Sequence, residues 1–198
     1  MRVFGIDPGS ERTGYGCVET DGRRHRLVLC GAISTAGASC FAARLGVIHA
    51  GLARLLAESA PSIVAIENLF HAVNVRSALK LGHARGVAML AAVEAGLEVV
   101  EYTPAEIKRA VVGYGRAEKP QVQQMIKLLL GLPAVPTPHD AADALAVALC
   151  HAHRIPGRTA TQALTRPLPG PPAKSWRTYR PAEPAAPRMP LPASARRP

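Results

Sequence analysis

The chain reads as an α/β domain, and three observations predict that class. Five short apolar runs, at Val3–Asp7, Thr13–Glu19, Leu27–Ile33, Ser62–Asn68 and Leu97–Tyr102, have the length and the bounding turn residues of strands. Between and after them, apolar residues return every three or four positions, the period of an amphipathic helix. The first three runs lie close together in the chain and predict an antiparallel meander, whereas the fourth shows no alternation, as expected of a strand buried on both faces.

Val3, Phe4 and Ile6 make the first strand, which Pro8 and Gly9 end, so that it finishes on Asp7. A carboxylate at the tip of a buried strand has a rigid backbone beneath it and open space above, the way a fixed catalytic or metal-binding oxygen is held. An Asp before Pro-Gly also caps ordinary turns. Gly14 to Val18 reads as the returning strand, and Asp21-Gly22 joins it to the third. From Phe41 to Glu58, Leu45, Ile48, Leu52, Leu55 and Leu56 recur at helical spacing until Pro61.

The fourth strand also finishes on an acid, Glu67. Laid parallel beside the first, it would project its carboxylate from the same sheet edge as Asp7. The following loop carries Phe70, which is suited either to the core or to stacking on a base. Val75 to Glu94 predicts a long helix whose Ala78, Gly82, Gly86 and Ala91 admit close approach of another helix, from within the domain or from a second subunit.

Thr103-Pro104-Ala105-Glu106 opens a helix with an N-cap, a first-turn proline and a capping box. Lys119-Pro120 begins another, with Val122, Met125, Ile126, Leu129 and Leu130. Pro138 to Ala148 is a strong helix former that carries Asp140 and Asp143 on one face of its first turns. Asp143 lies among Ala, Leu and Val, and an acid facing a packed sheet needs a cation or a hydrogen-bond partner.

The 198 residues carry a formal net charge of +10, which points to a polyanionic partner, nucleic acid before membrane. Residues 155–198 hold eight Lys or Arg against one acid, Glu183, together with eleven of the 18 prolines. This predicts one domain over residues 1–154 and a disordered, basic, Pro-rich extension in which Trp176 and Tyr179 could stack on bases. In the domain, Lys108, Arg116, Lys119 and Lys127 are either phosphate contacts or solvated surface cations. The four cysteines form no C-x-x-C pair and no apolar run reaches membrane-spanning length, which predicts a reduced cytoplasmic protein. Cys150, His151 and His153 suit zinc by type, but a fourth ligand is not evident and the helix dipole accounts for the histidines.

Four carboxylates, Asp7, Glu67, Asp140 and Asp143, therefore occupy strand tips or a helix start beside apolar runs. Brought together they would repel, and a divalent cation would remove that penalty. Oxygen-only ligands select Mg²⁺ or Mn²⁺, and two such ions about 4 Å apart are the usual machinery of phosphodiester hydrolysis.

Five motifs, in order and well spaced, resemble one family: G-I-D-P-G-S-x-x-T-G-Y-G at 5–16, A-I-E-N-L-F at 65–70, S-A-L-K-L-G-x-A-R-G-V-A at 77–88, V-V-G-Y-G-x-A-E-K at 111–119 and D-A-A-D-A-L-A at 140–146. The chain is similar to the RuvC family of bacterial Holliday-junction resolvases, in the RNase H-like nuclease superfamily. The resemblance implies a five-stranded mixed sheet flanked by helices, a homodimer, and Mg²⁺-dependent paired nicking of four-way DNA junctions in recombination and repair. It also implies a branch-migration motor as partner. Asp7, Glu67, Asp140 and Asp143 fall on the family's acidic positions, Phe70 on its base-engaging aromatic, and Lys108 and Lys119 on its basic DNA-contacting positions.

His139 beside Asp140 departs from the pattern, and either could be the ligand. The chain from Ile155 onward lies outside the resemblance. Three other readings share some features: a related nuclease acting on other DNA or RNA, a non-catalytic junction binder, and an actin-like ATPase. The last needs two such domains, for which about 154 residues leave no room.

Overall fold

In a computed structural model, the described residues are 1–68 and 74–155. They form β1 (Arg2–Asp7), β2 (Arg12–Thr20), β3 (His25–Ser34), α1 (Phe41–Ser59), β4 (Ile63–Glu67), α2 (Val75–Glu94), β5 (Val99–Tyr102), α3 (Pro104–Val112), α4 (Lys119–Leu129) and α5 (His139–Ala152). The strands make one sheet in the order β3-β2-β1-β4-β5. β1 to β3 form the antiparallel meander, and β4 and β5 run parallel to β1. The mixed five-stranded sheet expected from the sequence is thus present.

Among the strands, two starts differ by more than one residue: β3 begins at His25, not Leu27, and β5 begins at Val99, not Leu97. The backbone N–H of Leu97 still bonds the Ala92 carbonyl, closing the end of α2, and Gly96 turns the chain with φ 72°. Phe70, Trp176, Tyr179 and the extension lie outside the described residues. Among those described, no helix is long and apolar enough to cross a membrane.

Side chains alternate across a strand, and here the alternation decides where the acids point. Phe4, Ile6, Val64 and Ile66 pack on one face against α1 and α2. Val3, Ile63 and Ala65 pack on the other, against α3, α4 and α5. Asp7 and Glu67 share the parity of the second set, so both carboxylates project on the α5 side. They stand one residue beyond the last paired position of β1 and β4, Ile6 with Ile66.

α5 is almost wholly buried, a run of Ala, Leu, Val and Cys laid across β1 and β2. It lies unusually close because two strand residues lack a side chain. A Cβ on Gly5 would sit 2.0 Å from the Ala144 carbonyl oxygen, and one on Gly14 would sit 2.1 Å from that of Asp140. These contacts set the height of the first turn of α5 above the strand tips.

Candidate active site

Asp7 at the end of β1, Glu67 at the end of β4 and Asp143 on α5 line one cleft of about 410 Å³. Ile107, Val122 and Ala146 give it apolar walls, and Lys108 from α3 and Lys119 from the start of α4 stand at its edge. Asp140 lines a neighbouring concavity of about 670 Å³, together with Arg12 and Arg44. It remains near enough to Asp7 to repel it. The four acids expected from the sequence thus gather around Asp7, three in the cleft and one beside it.

The electrostatics follow from this crowding. Burial, then repulsion from Glu67 and Asp143, push the Asp7 carboxyl up to about 8. The pair therefore holds a proton more readily than separate carboxyls would, shared in a hydrogen bond between the Asp7 and Glu67 side chains. Glu67 is also raised, by burial first, while the hydrogen bond from Asp7 and the charges of Lys119 and Lys108 act the other way. The Lys119 ammonium lies 2.6 Å from an Asp143 oxygen, which raises its own pKa.

α4 holds the first turn of α5 at two points. Besides Lys119 on Asp143, the Gln123 amide meets His139 Nδ1 at 2.9 Å. The partners are four residues apart on each helix, so the contacts are spaced one helical turn on both. His139 is therefore joined to Gln123 and does not line the cleft. Gln123 is buried, and nothing at the level of sequence marked it except a polar residue beside the apolar Val122 and Ile126 of an amphipathic helix.

Among the described residues no three His, Cys, Asp or Glu side chains are drawn together as a ready metal-ligand group. The donor set nonetheless fits a hard divalent cation. Asp7, Glu67 and Asp143 offer only oxygen, and the proton and the ammonium now held between them are the positive charges that such an ion would replace. Cys150, His151 and His153 do not form a rival site. The Tyr102 hydroxyl and His151 Nδ1 share a 2.8 Å hydrogen bond, His153 Nδ1 donates to the Ala110 carbonyl at 3.0 Å, and burial pushes the Cys150 thiol up to about 12.

The remaining cations are less central. Arg116 is exposed in the turn between α3 and α4, and Lys127 lies in the last turn of α4, where it complements the helix dipole. Neither is among the residues lining the cleft.

The strand order, the parallel pair β1 and β4 with an acid at each end, and an acid-bearing helix across them define an RNase H-like domain. The family model described as crossover junction endodeoxyribonuclease RuvC matches residues 3–151. A crossover junction endodeoxyribonuclease RuvC from Syntrophotalea carbinolica is 59% identical over 153 residues, 77% of this chain and 94% of that protein. One from Trichlorobacter lovleyi is 52% identical over 185 residues, 91% of this chain and all of that one. The solved structure of Thermus thermophilus RuvC in complex with a Holliday junction substrate matches with a TM-score of 0.71 and 37% identity, covering 77% of this chain and 93% of that one. The chain belongs to the RuvC family.

Proposed function

We propose that the chain is a structure-selective DNA endonuclease that resolves four-way junctions by paired hydrolysis of opposed strands, in homologous recombination and DNA repair. The convergence of Asp7, Glu67 and Asp143 in a cleft edged by Lys108 and Lys119 carries this reading for the present residues. RuvC nucleases are metal-dependent, and Asp7, Glu67, Asp143 and the adjacent Asp140 would hold the ions, two Mg²⁺ per site, with Mn²⁺ able to substitute. Bound there, the metal supplies an activated water and stabilises the charge on the phosphate and the leaving 3′ oxygen.

The chain's own residues prepare for this. Lys108 and Lys119 attract the phosphate backbone, and the proton that Asp7 shares with Glu67 must leave before both carboxylates can act as ligands. His139, engaged by Gln123, assists by fixing the start of α5, while Asp140 is the ligand at that point. Phe70 and Arg116 are proposed as further DNA contacts.

A homodimer is supported by α2. Val75, Leu79, Leu90 and Val93 are 75, 59, 50 and 62% exposed, and open space lies beyond Gly82 and Gly86. Positions 75, 79, 82, 86, 90 and 93 recur at three- and four-residue intervals, an apolar and small-residue stripe suited to the same helix of a second copy. Two-fold symmetry would set one carboxylate cluster on each of two opposed strands of a nearly two-fold junction. The catalytic domain is taken as residues 1–154, acting in the cytoplasm with a branch-migration motor.

The test is cleavage of a synthetic four-way junction and a matched linear duplex, with Mg²⁺ or with EDTA, by wild type and Asp7→Asn. Symmetric nicks on the junction alone, dependent on Mg²⁺ and on Asp7, are expected. Equal cleavage of both substrates would remove junction selectivity and leave a general nuclease.

A further inference from the structure

Beyond Asp7, on the side away from the lysines, the larger concavity is walled by the β1–β2 turn, the end of β3 and the first turn of α1. Ser10, Arg12, Ser34, Thr35 and Arg44 line it, with Asp140 at its inner edge. The wall is rigid. The buried Thr13 hydroxyl donates to the Gly9 carbonyl at 2.9 Å. The buried Thr35 hydroxyl lies 3.1 Å from the carbonyl oxygens of both Ser10 and Glu11, and its N–H donates to Glu11 at 3.1 Å. The turn is thus tied to the start of β2 and the end of β3, and the backbones that carry Arg12, on β2, and Arg44, on α1, flank it.

Arg12 is exposed, and Arg44 has only a long contact, 3.8 Å, with a Glu11 carboxylate that is itself 85% exposed. An ion pair of that length and exposure is weak and gives way readily to a phosphate. Because Asp140 and Asp7 are neighbours, the carboxylates stand between two pairs of cations, Lys108 and Lys119 in the cleft and Arg12 and Arg44 in the adjoining concavity, which Glu11 also lines.

We propose that this second concavity is a phosphate-binding site for the strand being cut, in which Arg12 and Arg44 hold the backbone on the far side of the scissile bond from the lysines. The proposal rests on the nuclease reading above. A strand gripped on both sides of the acids cannot slide or rotate at the reacting phosphate, which is the orientation that hydrolysis needs. Glu11 acts as a brake on the same site, since its carboxylate competes for Arg44 and repels phosphate.

The test is the salt dependence of DNA binding, read by fluorescence anisotropy in EDTA on a labelled four-way junction and on a matched duplex. The proteins are full-length wild type, Arg12→Ala, Arg44→Ala, the double variant, Arg44→Lys and Glu11→Gln. Arg54→Ala is the control, because Arg54 lies on the same helix as Arg44 but pairs with Glu58 and does not line the concavity. The slope of log K against log salt should fall by about 0.9 for each arginine removed. It should be kept by Arg44→Lys and by Arg54→Ala, and Glu11→Gln should bind more tightly than wild type. At saturating DNA the double variant should also nick more slowly.

Unchanged slopes in Arg12→Ala and Arg44→Ala would overturn the proposal, as would an equal fall in Arg54→Ala. Failure of the wild type to prefer the junction would instead overturn the resolvase reading alone, because the slopes are also read on the duplex.

Discussion

At the residue scale the site turns on Asp7. Its folded-state pKa of about 8 exceeds the ordinary 3.8, so between those values the folded protein holds a proton that the unfolded chain has lost. Stability therefore falls as pH rises through that window. Asp7→Asn removes the burden, and the metal-free variant should be more stable than wild type at pH 8 and above, by an amount on the order of a few kcal/mol, with little difference near pH 4. Thermal melting across pH checks this, and a variant less stable than wild type at pH 8 would contradict it. Cleavage should be lost in the same variant while junction binding remains. The sequence made Asp7 and Glu67 legible because strand parity and the turn after each strand are local properties. It did not show why Gly14 must be glycine, since the obstructing Asp140 carbonyl comes from a helix more than a hundred residues away. Gly14→Ala should cost about 1–3 kcal/mol through overpacking. It should also displace Asp140, and denaturant unfolding with an activity assay reads both.

At the element scale the informative contact is α4 against α5. The two helices are legible separately, from Lys119-Pro120 and from the acidic start of α5, but their clamp is not. Which side chain of α4 meets which of α5 depends on their relative rotation, and no periodicity in either segment sets it. Lys119 serves twice, pairing with Asp143 and lowering the pKa of Glu67 through space. Lys119→Met should therefore move the acid limb of the pH–rate profile to higher pH, because Glu67 then loses its proton less readily. An unmoved limb with a uniformly lower rate would show that Lys119 only attracts DNA. Gln123→Ala leaves His139 without its partner from α4 and should cost about 1 kcal/mol of stability. It should also raise the Mg²⁺ concentration needed for half-maximal nicking, by loosening the first turn of α5. A loss of stability with unchanged Mg²⁺ dependence would make the pair structural only.

At the scale of the whole molecule, two features lie beyond the cleft, the apolar stripe of α2 and the basic chain after Ile155. The first carries the homodimer proposed above: on that proposal, Leu79→Glu with Leu90→Glu should give a monomer in sedimentation that nicks single strands without pairing the cuts. The second is a matter of charge. Residues 155–198 contribute seven of the ten net positive charges, yet the family model matches only residues 3–151 and the carboxylates lie within residues 7–143. If those charges act only by releasing counterions from DNA, a chain ending at Ile155 should bind the junction more weakly at low salt, with a shallower salt dependence. The difference from wild type should shrink as salt rises, because screening weakens exposed charges wherever they lie. Nicking at saturating junction should be unchanged, since no residue that would ligate metal or face the scissile phosphate has been removed. Binding titrations at several salt concentrations, with a single-turnover assay at saturation, separate the cases. Loss of nicking at saturation would place part of the catalytic or substrate-opening function in the extension.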